Sequence, residues 1–268
     1  MAYEPVAAAE VDLTRPSAAR VYDYYLGGAH NFAADREMAE HAIAMWPDLP
    51  LIMQANRAFL RRAVRFCVDA GVRQFLDLGS GIPTVGNVHE VARDAAPDAR
   101  VVYVDIDPVA VAYSRSILGD DNQTAVVHAD LRSPDQVLGS TEVRSLLNFD
   151  EPVAVMMVAV LHFVPDSDDP AAIIAGYRDA MAPGSFLAVS HASQDGQPEK
   201  AGSHQDLYRR TPTPMTMRSK PQVADLLADF DLVDPGVVFL PLWRPASLDD
   251  VDDHPERFSG LAAVGRKR

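Results

Sequence analysis

Residues 75–84 of this chain, FLDLGSGIPT, decide its fold. Apolar residues surround a single Asp, and the stretch then runs into Gly-Ser-Gly and Ile-Pro-Thr. A pattern of this kind is typical of a buried strand that breaks into a tight turn. Because glycine lets the backbone come close to a ligand, the stretch predicts a strand followed by a ligand-binding turn.

The chain beyond this turn alternates between short apolar runs and segments of helical length. The apolar runs are RVVYVDID, AVVHAD, PVAVMMVAVLHFV and GSFLAVSHA, and the helical segments are residues 88–96, 108–118, 134–147 and 171–181. A helix over residues 219–230 and two strand candidates, LVDPGVVFL and FSGLAAVGRK, follow. Apolar strands that alternate with helices predict a parallel sheet covered on both faces.

The N-terminal part has a helical pattern instead. Residues 1–16 are predicted to form a leader, and helices are predicted over residues 17–26, 35–45 and 52–70. We therefore expect two parts: a leader with a helical cap or lid, residues 1–70, and one compact α/β unit, residues 71–268, which holds the ligand.

The composition restricts the function. The 268 residues carry a formal net charge of −14, which repels phosphate backbones and anionic membranes. The single cysteine, Cys67, allows no internal disulfide and no Cys-rich zinc site. The sequence has neither a basic signal-peptide start nor an apolar run of about 18 residues. We expect a cytoplasmic protein that binds a small molecule rather than nucleic acid or a membrane, and that holds no metal ion.

The glycine turn limits the choice of ligand. Gly79 and Gly81 fit the start of a dinucleotide motif, but Thr84 stands where the third glycine is expected. The Gly-Lys-Ser/Thr of a phosphate-binding loop is absent. A nucleoside without phosphate remains, and S-adenosylmethionine fits that description.

Carboxylates at the ends of neighbouring strands support this ligand. Asp105 is placed to accept the ribose hydroxyls, Asp130 to accept the adenine amino group, and Asp77 to face the methionine ammonium. S-adenosylmethionine carries an ammonium and a sulfonium, so acidic surroundings favour it. Three residues beside these positions are assigned to the same cofactor site: Ser80, Ile106 and Leu131.

Each of these carboxylates also has a structural interpretation. Either Asp105 or Asp107 can cap a helix that begins at Pro108, and we expect Asp107 to be the cap. Asp130 can simply end its strand. The order of glycine turn, acid after the second strand and acid after the third strand favours the ligand site.

At this point the chain resembles a family. FLDLGSG, VVYVDID and HAD resemble motifs of class I S-adenosylmethionine-dependent methyltransferases. RPSAARVYDYYLGGAHNFAADRE, NRAFLRRAVRF and RQFLDLGSGIPTVGNVHEVAR resemble, more narrowly, an actinobacterial family of such enzymes with undefined substrate. The resemblance covers nearly the whole chain. It implies a doubly wound, Rossmann-like seven-stranded sheet, mostly parallel with one reversed C-terminal strand. The chain departs from the class at Pro83, where a third glycine is common and where proline has no N–H to donate.

The tyrosine-rich segment VYDYYLGGAHNF has two interpretations. It can pack as an aromatic seam, or it can form a lid that is hinged at Gly27-Gly28 and places Tyr22 and Tyr25 against the sulfonium. Asn31 and Arg57 are further candidates for the cofactor site, and Arg57 is suited to a carboxylate.

Methyl transfer needs positioning more than covalent help, and a general base only when the acceptor must lose a proton. His162 in AVLHFVPD and, less strongly, His191 in AVSHAS are the candidates, unless each histidine bonds a loop carbonyl. We expect in-line transfer to a small-molecule acceptor. One alternative is a nucleoside-binding regulatory module without catalysis, and another is a nicotinamide oxidoreductase, which Thr84 disfavours. Residues 195–217, with Tyr208, Arg209 and Arg210, are expected to cover the substrate side.

Overall fold

A computed structural model describes residues 12–83, 86–209, 211–247 and 251–268. Within those ranges one mixed sheet is formed by β1 Gln74–Leu78, β2 Arg100–Asp105, β3 Thr124–His128, β4 Ala154–Val158, β5 Phe186–Ala192, β6 Asp231–Leu232, β7 Val238–Phe239 and β8 Gly260–Arg266. The helices around it are α1 Ala18–Tyr25, α2 Ala33–Met45, α3 Leu49–Asp69, α4 Val88–Ala95, α5 Pro108–Leu118, α6 Pro134–Gly139, α7 Thr141–Leu146, α8 Pro170–Ala180, α9 Pro198–Tyr208 and α10 Lys220–Leu226.

The strand order of the sheet is β3-β2-β1-β4-β5-β8-β6, and β7 also pairs with β8. Strands β1 to β5 run parallel, whereas β8 is antiparallel to β5, β6 and β7. The predicted α/β class, with a mostly parallel sheet and one reversed C-terminal strand, is confirmed. Among the described residues the sheet has eight strands rather than seven, because β6 and β7 each pair with β8. Parallel strands place their carboxyl ends at one edge, so the residues that follow β1, β2 and β3 lie side by side.

Both faces of the sheet are buried, as the near-continuous apolar strands predicted. Phe75 and Met156 belong to the core beneath α2, α3 and α4. Their neighbours Leu76 and Met157 belong to the core on the opposite face, with residues of α6, α7 and α8. The alternation along each strand therefore fixes which side chains meet the N-terminal helices.

The N-terminal helices pack on the first of these faces. Phe59, Ala63 and Cys67 of α3 are fully buried in the same core as Phe75. Burial raises the pKa of the Cys67 thiol, which agrees with its interpretation as a small core residue. The division into a cap and a ligand-binding unit stays a prediction.

Two helices begin where the sequence predicted. Asp107 caps α5 by accepting a hydrogen bond from the Val109 N–H at 2.8 Å. Ser219 precedes α10, and its N–H donates to Gln222 Oε1 at 2.8 Å. The capping assignment of Asp107 is confirmed, which leaves Asp105 for the site.

Three predicted elements are shorter or broken. The helix predicted over residues 134–147 is two helices, because Ser140 ends α6 and caps α7. LVDPGVVFL forms the separate strands β6 and β7, since Asp234, Pro235 and Gly236 turn between them. Strand β4 ends at Val158 because Ala159 has a left-handed backbone with φ of 58°. The leader's residues 1–11 lie outside the described ranges, as does Thr84.

None of the helices that the structure describes is long and apolar enough to cross a membrane.

Candidate active site

A cavity of about 740 Å³ opens at the carboxyl edge of the sheet. Its size lies within the range of roughly 300–1,000 Å³ common for small-molecule sites. Two parts of its lining differ in chemistry. We call one the acidic half, formed by Asp77, Gly79, Ser80, Gly81, Asp105, Ile106, Asp130 and Leu131. We call the other the aromatic half, formed by Trp46, His162, Phe163, His204, Tyr208, Met215 and Met217.

The glycine turn after β1 lines the acidic half. Gly79 and Gly81 have φ of 71° and 65°, a left-handed conformation that glycine adopts without strain. A Cβ on Gly79 would lie 2.3 Å from the Val160 side chain, so no larger residue fits there. The Gly79 and Ser80 N–H groups both donate to the Val104 carbonyl, at 2.8 and 3.1 Å. The turn is therefore tied to the end of β2.

Asp105 holds this turn from the neighbouring strand. Its Oδ2 accepts the Gly81 N–H at 2.7 Å, and its Oδ1 accepts the Asp107 N–H at 2.8 Å. Burial raises the pKa of Asp105 to about 6, although the backbone hydrogen bonds work in the opposite direction. A carboxylate oxygen has more than one lone pair, so each oxygen can accept a further hydrogen bond from a ligand.

Asp77 is the most strongly perturbed acid of the cavity. Its side chain is buried, and burial raises its pKa to about 7 while Arg57 opposes the rise and Asp105 adds to it. Such a carboxyl is half ionised near neutral pH in the ligand-free protein. A cation that bound beside it would stabilise the ionised form.

Asp130 lies at the outer end of the acidic half. Arg132 donates to both of its oxygens at 2.6 to 3.0 Å, and Arg132 also pairs with Asp168 at 2.9 Å. Burial raises the pKa of Asp130, but the hydrogen bonds from Arg132 outweigh burial and leave that pKa below its usual value. Asp130 therefore lines the cavity as a carboxylate that is already paired.

The flanking residues assigned from the sequence also line the acidic half. Ile106 is 50% exposed and presents an apolar side chain to the cavity lining. Leu131 accepts a hydrogen bond from the Tyr177 hydroxyl through its carbonyl at 2.8 Å. The Ser80 hydroxyl is buried and has no hydrogen-bond partner among the described residues. An apolar face and an unpartnered hydroxyl fit a nucleoside ligand.

A hydrogen-bond network ties α1 and α3 to the sheet. Asn56 donates to the Tyr22 hydroxyl at 2.8 Å and accepts from the Ser190 hydroxyl at 2.5 Å. The Ser190 hydroxyl in turn accepts the N–H of Ala159 at 2.9 Å. The strained backbone at Ala159 is therefore hydrogen-bonded to Ser190 of β5. Ser190 is in turn connected to Tyr22 of α1 through Asn56. Backbone strain of this kind is common at functional sites.

The other residues predicted from the N-terminal segment have different positions. Tyr22, Tyr25 and Arg57 line the cavity, and Arg57 donates to the Gly86 carbonyl at 2.9 Å. Asn31 does not line the cavity, and its assignment to the cofactor site stays a prediction. Its amide donates to Asp23 and to the Gly28 carbonyl, and its carbonyl groups accept from Arg36. Asn31 is therefore a buried structural residue of the α1–α2 connection.

His162 and His191 both line the cavity, but their hydrogen bonds argue against the role of base. His162 Nδ1 accepts the Ala192 N–H at 3.3 Å, so the neutral ring carries its proton on Nε2. His191 Nδ1 bonds the Ala192 carbonyl at 2.7 Å, and its Nε2 meets an Arg218 N–H at 2.9 Å. Both ring nitrogens of His191 are therefore hydrogen-bonded, and the remaining nitrogen of His162 is a donor. Neither ring offers a free nitrogen that could accept a proton.

Burial lowers the pKa of both rings. The pKa of His191 falls to about 4, and that of His162 falls well below its usual value, with His191, His204 and Arg218 adding to the effect of burial. Both imidazoles are therefore neutral at physiological pH.

The aromatic half contains residues that sequence reasoning missed. Trp46 follows α2, and His204 lies on α9; both are buried and line the cavity. Tyr208, predicted to cover the substrate side, is buried in the cavity wall. Arg209 does not line the cavity and pairs with Asp206 at 3.1 Å, and Arg210 lies outside the described residues. The spacing of His204 and Tyr208 by four residues was the available signal.

Throughout the described ranges, no group of three or more His, Cys, Asp or Glu side chains is arranged to hold a metal ion.

Residues 4–268 match the profile of the S-adenosyl methyltransferase family, and the chain belongs to that family. A candidate methyltransferase of Thermobifida fusca YX has 41% sequence identity over 98% of this chain and 100% of its own, with a TM-score of 0.92. A DUF574 family protein of Streptomyces avermitilis MA-4680 has 36% identity over 96% of this chain and 99% of its own, also with a TM-score of 0.92. Both organisms are actinobacteria, in agreement with the resemblance found in the sequence.

Another solved structure, at low sequence identity, is similar to this chain in fold alone. Human N-acetylserotonin methyltransferase, solved in complex with S-adenosylmethionine, has 16% identity and a TM-score of 0.51 over 95% of this chain and 63% of its own. Among curated proteins, none matches the chain significantly.

Proposed function

We propose that the cavity transfers a methyl group from S-adenosylmethionine, bound in the acidic half, to a small-molecule acceptor in the aromatic half. One observation carries the proposal: the buried carboxyl groups of Asp77 and Asp105 meet the Gly79–Gly81 turn in a cavity that continues into a second, uncharged part. A module that only bound the nucleoside would not need that second part.

The residues of the acidic half suit the groups of this cosubstrate. Asp105 is placed to accept hydrogen bonds from ribose hydroxyls, and Ile106 to pack on the adenine. Asp130 keeps its assignment beside the adenine amino group, because a paired carboxylate still has acceptor capacity. Asp77, with its raised pKa, is suited to a cationic ammonium, and Arg57 to the carboxylate of the same amino acid.

The cosubstrate supplies an electrophilic methyl group: the acceptor forms the new bond to its carbon while the carbon–sulfur bond breaks and the electron pair stays on sulfur. The chain contributes position and exclusion of water, which together are worth roughly 7–11 kcal/mol in well-aligned reactions. Tyr22 and Tyr25, from the cap, border the cavity, and aromatic faces favour a nearby cation.

Calorimetric titration with S-adenosylmethionine and S-adenosylhomocysteine tests the cofactor assignment. We expect both to bind, and Asp105→Asn to weaken binding about a hundredfold, because the amide removes acceptors for the ribose and disturbs the bond to Gly81. Asp98→Asn is the matched control, since Asp98 is exposed and makes only a long pair with Arg73 at 3.5 Å.

Two outcomes would remove the proposal. One is the absence of binding by either compound, and the other is tight binding of NAD in their place. With binding established, labelled S-adenosylmethionine and a mixture of small-molecule metabolites should give a labelled product with the wild-type chain, and far less of it with Asp105→Asn at a concentration of S-adenosylmethionine that does not saturate the variant.

A further inference from the structure

Two buried polar atoms in the aromatic half have no hydrogen-bond partner among the described residues. They are Trp46 Nε1 and His204 Nε2, on side chains whose residues are 3% and 4% exposed. Both residues line the cavity. Buried polar groups are almost always hydrogen-bonded, so an unpaired donor and an unpaired imidazole nitrogen on two residues that line one cavity indicate a missing hydrogen-bond partner, which a ligand can supply.

The surrounding side chains form a continuous row of rings. The ring centroids are 6.0 Å apart for Trp46 and His204, 5.1 Å for His204 and Tyr208, and 5.6 Å for Tyr208 and Phe163. His162 continues the row at 4.4 Å from Phe163. Ring pairs at these separations are attractive, and the row gives a ligand edges and faces to pack against.

Met215 and Met217 complete the lining of this half. Thioethers pack well against aromatic rings and adapt to their outline. The half therefore favours a planar aromatic ligand over an aliphatic one.

The aromatic half is also uncharged. Its defining residues include no Asp, Glu, Lys or Arg, and the charged residues that line the cavity within the described ranges are Asp12, Arg15, Arg20, Arg57, Asp77, Asp105, Asp107, Asp130, Arg132 and Asp168. Burial lowers the pKa of His204 to about 4. Arg218, which faces His191 behind this wall, is engaged by Asp166 and by the carbonyls of Leu161 and Val164. A charged ligand would have no partner among the described residues of this half and would lose its hydration.

We propose that the aromatic half binds a neutral, planar aromatic acceptor that carries a hydroxyl or amine, and that this group hydrogen-bonds Trp46 Nε1 and His204 Nε2. A hydroxyl matches both atoms, because its oxygen accepts from the indole N–H while its O–H donates to the imidazole nitrogen. The inference rests on the proposed function for the identity of this ligand as the methyl acceptor. The acceptor is thereby defined by its neutral charge, its planar shape and its hydrogen-bonding group.

Calorimetry with three matched probes tests the class of ligand, each titrated with and without saturating S-adenosylhomocysteine. The probes are 2-naphthol, which is neutral and planar with one hydroxyl, 2-naphthoate, which is planar and anionic, and 2-decalol, which keeps the hydroxyl on a saturated frame. We expect 2-naphthol to bind at least about tenfold more tightly than either of the others, because 2-naphthoate is charged and has no O–H to donate, and 2-decalol is not planar.

Variants then test the two polar atoms. His204→Gln and Trp46→Phe should each weaken 2-naphthol binding about tenfold, while the affinity for S-adenosylhomocysteine stays within about twofold and so reports an intact fold. His41→Gln, on the exposed side of α2, is the matched control and should change neither affinity.

The inference is overturned if 2-naphthol fails to bind, if 2-naphthoate or 2-decalol binds as tightly, or if both cavity variants bind 2-naphthol like the wild type. Failure of S-adenosylhomocysteine to bind would instead remove the proposed function, and the titrations without it would still decide whether the aromatic half takes a neutral aromatic ligand.

Discussion

The two halves of the cavity are assembled from different kinds of chain segment. The acidic half comes from the turn after β1 and the residues that follow β2 and β3, all at one edge of the sheet. The aromatic half comes from the end of α2, the turn after β4, α9 and residues 212–217. Short sequence motifs therefore predict the acidic half, which follows the strand ends. They do not predict the aromatic half, which separate helices and loops supply.

The halves also bury titratable groups of opposite type. Burial raises the pKa of Asp77 to about 7 and of Asp105 to about 6. Burial lowers the pKa of His204 to about 4 and that of His162 well below its usual value. In both halves the neutral form is favoured, but the free energy of unfolding should respond to pH in opposite directions. That contrast can be measured on the ligand-free protein.

The largest effect should come from Asp77→Asn. The carboxyl of Asp77 titrates near 3.8 when unfolded and at about 7 when folded. Its contribution to stability is therefore fully present below about pH 4 and is lost as the pH rises to about 7. In the wild type this lowers the free energy of unfolding by up to about 4 kcal/mol. Asp77→Asn should lack this fall, as measured by urea unfolding at several pH values.

Asp98→Asn is again the control and should keep the wild-type pH dependence. Identical pH profiles for the wild type and Asp77→Asn would show that Asp77 is solvated, and the acidic half would then lack its defining property.

His204→Gln should produce the next largest effect, with the opposite sign. The imidazole titrates near 6.5 when unfolded and at about 4 when folded. Its contribution is present above about pH 6.5 and is lost as the pH falls to about 4, by up to about 3 kcal/mol. The variant should therefore lose less stability than the wild type on acidification in the same urea experiment.

His41→Gln provides the comparison, since its imidazole is exposed. The variants are compared by how steeply the free energy of unfolding changes with pH, because replacement of a buried ring also changes packing at every pH. A slope for His204→Gln equal to that of the wild type would contradict the burial of a neutral imidazole in the aromatic half.

A smaller effect should come from the network between the cap and the sheet. Tyr22→Phe removes the hydroxyl that accepts from Asn56 at 2.8 Å, and should lower the free energy of unfolding by about 1 kcal/mol. Tyr24→Phe is the matched control, because the Tyr24 hydroxyl bonds the exposed Glu40. Equal stabilities for the two variants would mean that Tyr22 does not hold α1 to the sheet.

The sequence predicted the sheet and the acidic half because their signals are local. A buried strand, a glycine turn and an acid after the next strand are each visible in a few consecutive residues, as at Asp77, Gly79 and Asp105. The capping role of Asp107 followed from its place before Pro108. The breaks at Ser140 and Ala159 were missed, because a serine inside a helical pattern and an alanine after a strand carry weak signals of their own.

Two residues of the aromatic half, Trp46 and His204, were not identified individually, for a different reason. Trp46 and His204 are far apart in the chain, and nothing in either local pattern distinguishes a cavity wall from an ordinary core position. The hydrogen bonds of His162 and His191 depend on tertiary contacts with Ala192 and Arg218, so their protonation could not be predicted from spacing. The position of Asn31 outside the cavity lining could not be predicted either, because it depends on the hydrogen bond to Asp23 in the α1–α2 connection.

A crystal structure of the protein with S-adenosylhomocysteine tests the central division of the cavity most directly. We expect the ribose hydroxyls at Asp105, the amino group on the side of Asp77, and the thioether sulfur directed toward the aromatic half, which stays open. Density for the nucleoside among Trp46, His204 and Tyr208, or outside the cavity, would contradict the account.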